Sequence, residues 1–152
     1  MDGRSPIELR ALRYLAQREY SRRELAQKLS ADRDAREPAE LTAVLDQLEQ
    51  QGYLSDARMA EQVARTRRSR FGSQRIVHEL KSKGVADGLI HTVLPSLKET
   101  ELESALQVWR KKFDHPPATR EERAKQIRFM MNRGFSMETI TQVLTQVSEE
   151  NR

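Results

Sequence analysis

One apolar pattern occurs twice in this chain at a constant offset of 50: Leu80, Gly84, Ile90, Val93 and Leu94 recur as Met130, Gly134, Ile140, Val143 and Leu144. Each copy is an apolar helix face, a glycine suited to ending a helix, and a second apolar helix face. A weaker echo reaches back to the first third, where Leu25 and Leu29 match Ile76 and Leu80 at an offset of 51. Periods of roughly 20–50 residues point to stacked supersecondary units, each unable to bury its apolar face alone. One offset shared by two helices and the glycine between them is more than helical periodicity by itself produces. The chain therefore reads as a tandem array.

Capping signals divide the array into helices. Ser5 with Pro6 opens the first, whose face is Ile7, Ala11, Tyr14 and Leu15. Ser21 and Glu24 form a capping box before Leu25, Ala26 and Leu29. The charged stretch 30–37 has no period and reads as a loop. Pro38 then begins a helix carrying Leu41, Val44, Leu45 and Leu48, closed by Gly52. Ser55 caps a helix with Met59, Ala60, Val63 and Ala64 inward, and Ser73 caps one with Ile76, Val77 and Leu80. A third carries Leu89, Ile90, Val93 and Leu94 and is expected to stop at Pro95, which lacks a backbone donor. From Thr100 a long helix has Leu102, Ala105, Leu106, Trp109 and Phe113 on one face. Thr119 and Glu122 form another capping box, ahead of Ala124, Ile127, Met130 and Met131; Ser136 caps the last helix. No segment has strand alternation. The expectation is an all-α fold of nine helices in three tandem three-helix repeats, 1–54, 55–98 and 99–152, elongated and curved.

Composition narrows the function classes. The chain of 152 residues has no cysteine, which excludes disulfides and thiolate chemistry. No apolar run approaches the roughly 18 residues of a membrane span, and the N-terminus has no apolar core of a secretory signal. A cytoplasmic monomer is expected. No glycine-rich phosphate loop occurs, and His78, His91 and His115 lack metal-ligand spacing. Carboxylate pairs such as Glu121-Glu122 lie at helix ends, where they favour the macrodipole. No nucleophile and base can be placed together, so neither an enzyme nor a cofactor is expected.

What remains is charge. The net formal charge is only +4, so clustering matters more than the total. Arg65, Arg67, Arg68, Arg70 and Arg75 fall within eleven residues that contain no acid. Arg110, Lys111 and Lys112 end the long helix, where they also oppose its dipole. Arg120, Arg123, Lys125, Arg128 and Arg133 line the next. Guanidinium forks suit phosphate and carboxylate alike, so these groups are candidates for meeting a nucleic-acid backbone or an acidic groove. On a helical wheel Arg58, Arg65 and Arg68 share the solvated face, while Arg67 points at the buried stripe. Either the helix projects past the core there or Arg67 pairs with a carboxylate of a neighbouring unit; both are structural roles.

Three stretches carry a family likeness: YLAQREYSRRELAQKL, then LDQLEQQGYLSDARMAEQVARTRRSRFGSQRIVHELKSKGV, then IRFMMNRGFSMETI. In order and spacing they resemble the RecX family of RecA regulators, over nearly the whole chain. The most telling matches are Gly52-Tyr53-Leu54-Ser55-Asp56, Arg75-Ile76 with Glu79-Leu80 and Lys83-Gly84, and Arg128-Phe129 with Arg133-Gly134-Phe135. The resemblance implies a non-enzymatic, all-α protein that binds the RecA filament on single-stranded DNA and limits filament growth. It also implies lowered RecA ATPase, strand-exchange and coprotease activities, and binding of single- and double-stranded DNA by the backbone. Family basic positions map onto Arg75, Lys83, Arg128 and Arg133; Arg65, Arg68, Arg70, Lys111 and Lys112 join the candidate contacts on charge alone. The mixed-sign loop 30–37 gives the first unit no basic edge, so the second and third units are expected to carry the contact.

Residues 7–54 taken alone also look like the helical half of a winged-helix DNA-binding regulator. That fold would need a β-hairpin wing after Gly52-Tyr53-Leu54. The sequence instead supplies SDARMAEQVAR, which has helical period.

Overall fold

The structure is a computed structural model, and it describes residues 3–31 and 38–152. Those residues form α1 (Pro6–Gln17), α2 (Arg22–Ser30), α3 (Pro38–Gln50), α4 (Asp56–Arg67), α5 (Ser73–Ser82), α6 (Asp87–Lys112), α7 (Arg120–Asn132) and α8 (Met137–Glu150). No strand occurs among them, so the all-helical expectation holds, and α4 stands where a wing would have to be. Most of the expected loop 30–37 lies outside the described residues.

Most local signals act as expected. The hydroxyls of Ser5, Ser21, Ser55, Thr119 and Ser136 each accept a backbone N–H in the first turn of their helices, and Ser21 with Glu24 forms a complete capping box. The second box is displaced by one residue: the Glu122 carboxylate accepts from the Ala118 N–H at 2.7 Å. Ser73 does not cap α5. Gly72 occupies that position, and the Ser73 hydroxyl instead donates to the Glu101 carboxylate on α6.

Helix α6 corrects the expected count, because the third helix of the second unit and the first of the third unit are one helix running through Pro95. Proline leaves the carbonyl four residues earlier, on His91, without its helical donor. Both His91 and Pro95 are exposed, so water can reach that carbonyl, and buried contacts on either side hold the helix together. Ile90, Val93 and Leu97 enter the core of α4, α5 and α6. Ala105, Leu106, Val108 and Trp109 enter the core shared with Met130, Phe135, Ile140, Val143, Leu144 and Val147. A separate core joins Ile7, Ala11, Tyr20, Leu25, Leu29, Val44, Leu45, Leu48 and Leu54. Three cores thus follow one another along the chain, and α6 serves two of them.

Helix α7 departs from its expected face. Ala124 is exposed and Met131 is 53% exposed, while the buried positions are Gln126 and Met130. The phase is turned by a polar contact, since the Gln126 side-chain oxygen accepts from Trp109 Nε1 at 2.8 Å. A buried indole N–H needs an acceptor, so its partner is drawn inward with it.

The middle helices of the units are joined end to end. At the first junction the Ser21 hydroxyl, at the start of α2, donates to the Lys83 carbonyl at the end of α5, 2.7 Å away. At the second, the Gly72 and Gln74 N–H groups at the start of α5 donate to the Arg133 and Gly134 carbonyls at the end of α7, at 2.7 and 3.2 Å. Each contact brings an electropositive helix start against an electronegative helix end, satisfying groups that neither helix can satisfy internally.

Candidate nucleic-acid interface

The second junction positions most of the candidate cations. After α4 the chain turns tightly, with the N–H groups of Arg70 and Phe71 both donating to the Arg67 carbonyl at 2.9 Å. The turn delivers Phe71 to the side of α5 and Gly72 onto the α7–α8 turn. A Cβ at Gly72 would overlap the Gly134 carbonyl, and one at Gly134, where φ is +92°, would overlap Arg75 Cβ. Both glycines are therefore required for the approach.

That approach gathers cations far apart in sequence. The guanidinium carbons of Arg70, Arg75 and Arg133 lie 5.3, 4.1 and 5.5 Å from the centre of the Phe71 ring. Arg133 lies 5.2 Å from the Phe129 ring as well, and Lys112 Nζ lies 5.4 Å from it. Backbone carbonyls steady two of the forks: Arg75 Nη1 donates to Asn132 at 3.2 Å, and Arg133 Nη1 to Arg70 at 3.4 Å. Arg70, Lys111, Lys112 and Arg133, with Ser69, Val108 and Phe129, line a groove of about 240 Å³. Among the described residues no carboxylate pairs with Arg70, Arg75, Lys111, Lys112 or Arg133. Ring faces offset part of the mutual repulsion, by about 0.5–1 kcal/mol per contact at exposed sites. An arriving anion would relieve the rest.

The other candidates are placed elsewhere. Arg65 and Arg68 line a separate groove of about 330 Å³ between α4 and α6, together with Glu61, Thr92 and Ser96. Arg128 is exposed on α7. Lys83 sits at the first junction, where its ammonium pairs with Glu79 at 2.9 Å. Arg110, the neighbour of the groove lysines, pairs with Glu150 at 3.1 Å.

Arg67 resolves as a structural residue, paired with Glu79 at 3.1 Å. The carboxylate comes from α5 of its own unit, not from a neighbouring one, because α4 and α5 pack side by side over the same core. Burial pushes the Glu79 carboxyl up, but hydrogen bonds from Lys83 and Arg67, with their charges, outweigh it and hold it below its ordinary value. Arg58, exposed as expected, is nevertheless engaged: it bonds Glu19 at 2.6 Å and the Gly52 and Tyr53 carbonyls at 3.0 and 3.1 Å. Glu101 is 8% exposed and its Oε1 accepts from the Ser73 N–H at 3.2 Å, fixing the start of α5 from the midpoint of α6.

Phe71, Phe129 and Glu101 are the residues that cation-centred reasoning passes over. The two phenylalanines did leave a signal, as aromatic residues directly beside arginine in Arg70-Phe71 and Arg128-Phe129, the interleaving typical of single-strand binding surfaces. Glu101 left none.

Fold and junction together define an all-helical protein of tandem three-helix units with an unneutralised, aromatic-lined groove between two of them. Comparison with known proteins names the family. Residues 55–94 match the family model of the second three-helix domain of RecX, and residues 99–144 that of the third. A protein described as regulatory protein RecX from Leptothrix cholodnii is 48% identical over 142 residues, spanning 93% of this chain and 89% of its own length. Another so described, from Herbaspirillum seropedicae, is 45% identical over 139 residues, spanning 90% of this chain and 89% of its own length. The crystal structure of RecX from Lactobacillus salivarius superposes with a TM-score of 0.78 at 20% identity, covering 93% of this chain and 94% of that one. This chain belongs to the RecX family, and its role is that of a RecX regulatory protein.

Proposed function

We propose that this protein regulates RecA by binding the RecA filament on single-stranded DNA, limiting its growth and lowering its ATPase, strand-exchange and coprotease activities. Membership of the RecX family, with relatives matched over about nine-tenths of the chain, is the observation that carries the proposal. The protein acts as a cytoplasmic monomer, in the compartment of the recombinase, and adds nucleic-acid contacts of its own through phosphates of single and double strands. We divide it into units 1–54, 55–98 and 99–152; the family matches fall inside the second and third. Arg70, Arg75, Lys111, Lys112 and Arg133 form the centre of the contact, with Arg65, Arg68 and Arg128 beside it. Lys83, which shares the Glu79 carboxylate with Arg67, belongs to the architecture of the first junction.

The decisive measurement is RecA's single-strand-dependent ATP hydrolysis with the protein added in stoichiometric amount. A reduced rate is expected, and an unchanged rate would falsify the regulatory mechanism. Charge reversal at Arg65, Arg68 and Arg70 together should weaken filament or DNA binding with helicity intact; unchanged affinity would leave those groups a solvated role. DNA affinity should also fall steeply with salt as phosphates release their counterions, and each lost phosphate contact should lower the slope by about one.

A further inference from the structure

The groove between the second and third units offers hydrogen bonds of almost one kind. Its polar lining is Arg70, Lys111, Lys112 and Arg133, all donors, with the Ser69 hydroxyl able to act either way. The Arg70 carbonyl already accepts from Arg133. The nearby start of α5 is also spent, since the Gly72 and Gln74 N–H groups are given to the end of α7. A peptide main chain carries donors and acceptors in equal number, so half of its groups would be buried there without partners. A DNA backbone, without the donor 2′-hydroxyl of RNA, presents acceptors only.

The rest of the lining is flat or apolar: Val108 and the Phe129 ring. The Arg133 guanidinium carbon lies within 5.5 Å of both the Phe71 and Phe129 ring centres, so its planar fork is within reach of two aromatic groups. Bases stack on rings and on guanidinium planes without regard to sequence, but only when they are unpaired. We infer that this groove binds one unpaired nucleotide of single-stranded DNA, its phosphate on Arg133 and Lys112 and its base against Phe129. The inference rests on the proposed nucleic-acid contact and adds its place, its size and its preference for an unpaired base.

The test uses the full chain without RecA. Fluorescence anisotropy measures binding to a labelled oligothymidylate, to an abasic strand of equal length and to a duplex, with wild type, Phe129→Leu and Arg133→Lys. Wild type should bind the oligothymidylate about tenfold more tightly than the abasic strand. Phe129→Leu should remove most of that ratio, whatever it does to the abasic affinity through Lys112 and Arg133, which the Phe129 ring orients. Arg133→Lys keeps the charge and loses the plane, so it should reduce the same ratio. The single tryptophan, Trp109, is linked to the groove through Phe113 and Phe129, at ring-centre distances of 6.0 and 5.4 Å. Its emission should change when the oligothymidylate binds, a second readout if Phe129→Leu folds poorly. Equal affinity of wild type for the abasic strand and the oligothymidylate overturns the base contact and leaves the phosphate contact standing. No binding to any of the three removes the nucleic-acid contact itself, whereas loss of RecA inhibition alone does not affect this inference.

Discussion

The two junctions of this molecule share a geometry and differ in chemistry. In both, the middle helix of one unit starts on the turn that ends the middle helix of the next. The first junction is neutralised by acids. Arg22 pairs with Asp46 and Glu49, its backbone N–H donates to Asp56, Arg58 pairs with Glu19, and Lys83 with Glu79. The second gathers Arg70, Arg75 and Arg133 around Phe71 and steadies two of them with backbone carbonyls, leaving their charge uncompensated. Carboxylates satisfy most of the first set of cations internally, Arg23 packed on Gly84 excepted, so that joint is chiefly architecture. Rings and carbonyls only orient the second set, so that joint is left with charge to offer a partner.

The sharpest way to break the comparison is to place a methyl group in each joint. At Gly72 or Gly134 it would strike backbone or a Cβ that cannot step aside, and either alanine substitution should cost about 3 kcal/mol. At Gly84 the neighbour is the Arg23 side chain, its Nε at 2.7 Å and Cβ at 2.9 Å from the new atom. The guanidinium end of that side chain can swing away but its Cβ cannot, and that overlap is milder than the one at Gly134. Gly84→Ala should therefore cost about 2 kcal/mol, shared between the left-handed backbone and the Arg23 Cβ contact. Gly52, with nothing near it, should show the backbone cost alone, about 1 kcal/mol. Urea melts of the series measure the order; equal costs at Gly84 and Gly134 would mean that the two joints are packed alike.

Next come the polar clasps. Glu101→Gln weakens the acceptor for the Ser73 N–H and hydroxyl in a buried site and should cost about 2 kcal/mol. Ser21→Ala removes both the cap of α2 and the bond to the Lys83 carbonyl and should cost somewhat less, about 1.5 kcal/mol, in the same melts. A reversed order would make the hydroxyl clasp of the first junction the stronger one.

Acid should separate the joints further. The Glu79 carboxyl lies below its ordinary value in the folded protein, so the folded state binds its proton less readily than the unfolded chain does. Its stabilisation is therefore complete above the unfolded value, about 4.3, and is lost as pH falls through the lower folded value. Thermal melts of wild type against Glu79→Gln should converge across that window; a difference that stays constant with pH would remove Glu79 as the acid-sensitive group of the first junction. The smallest effect is expected at the exposed rim, where Glu19→Gln should cost below about 1 kcal/mol because solvent screens the pair with Arg58.

Much of the fold is legible in the sequence because its signals are local. A serine cap reaches the amide three residues on, as Ser21 does to Glu24, and a glycine such as Gly134 ends a helix through its own φ. Both survive whatever packs nearby. Pro95 misleads for the converse reason: the local rule is sound, but burial of Ile90 and Val93 before it and of Leu97 and Ala105 after it outweighs a single missing hydrogen bond at the surface. Ser73 misleads because its better partner, Glu101, stands 28 residues away. Arg67 was half legible, since angular phase sends it toward the core but phase does not choose the carboxylate.

The candidate interface divides the same way. Arginine clustering along the chain marked 65–75 as a charge centre, and sequence alone was enough for that because charge is counted, not folded. Only the tertiary structure separated Arg65 and Arg68, beside Glu61 on one groove, from Arg70 and Arg75 on another. It also brought Arg133, 63 residues from Arg70, to the same ring. What the sequence determined by itself is most of the helices and caps, the glycine turns and the repeat, all settled by contacts within about one or two helical turns, with α6 and the start of α5 the exceptions. Which cations are neutralised and which are left for a partner depends on contacts between units, and those exist only once Gly72 and Gly134 have let two helix ends meet.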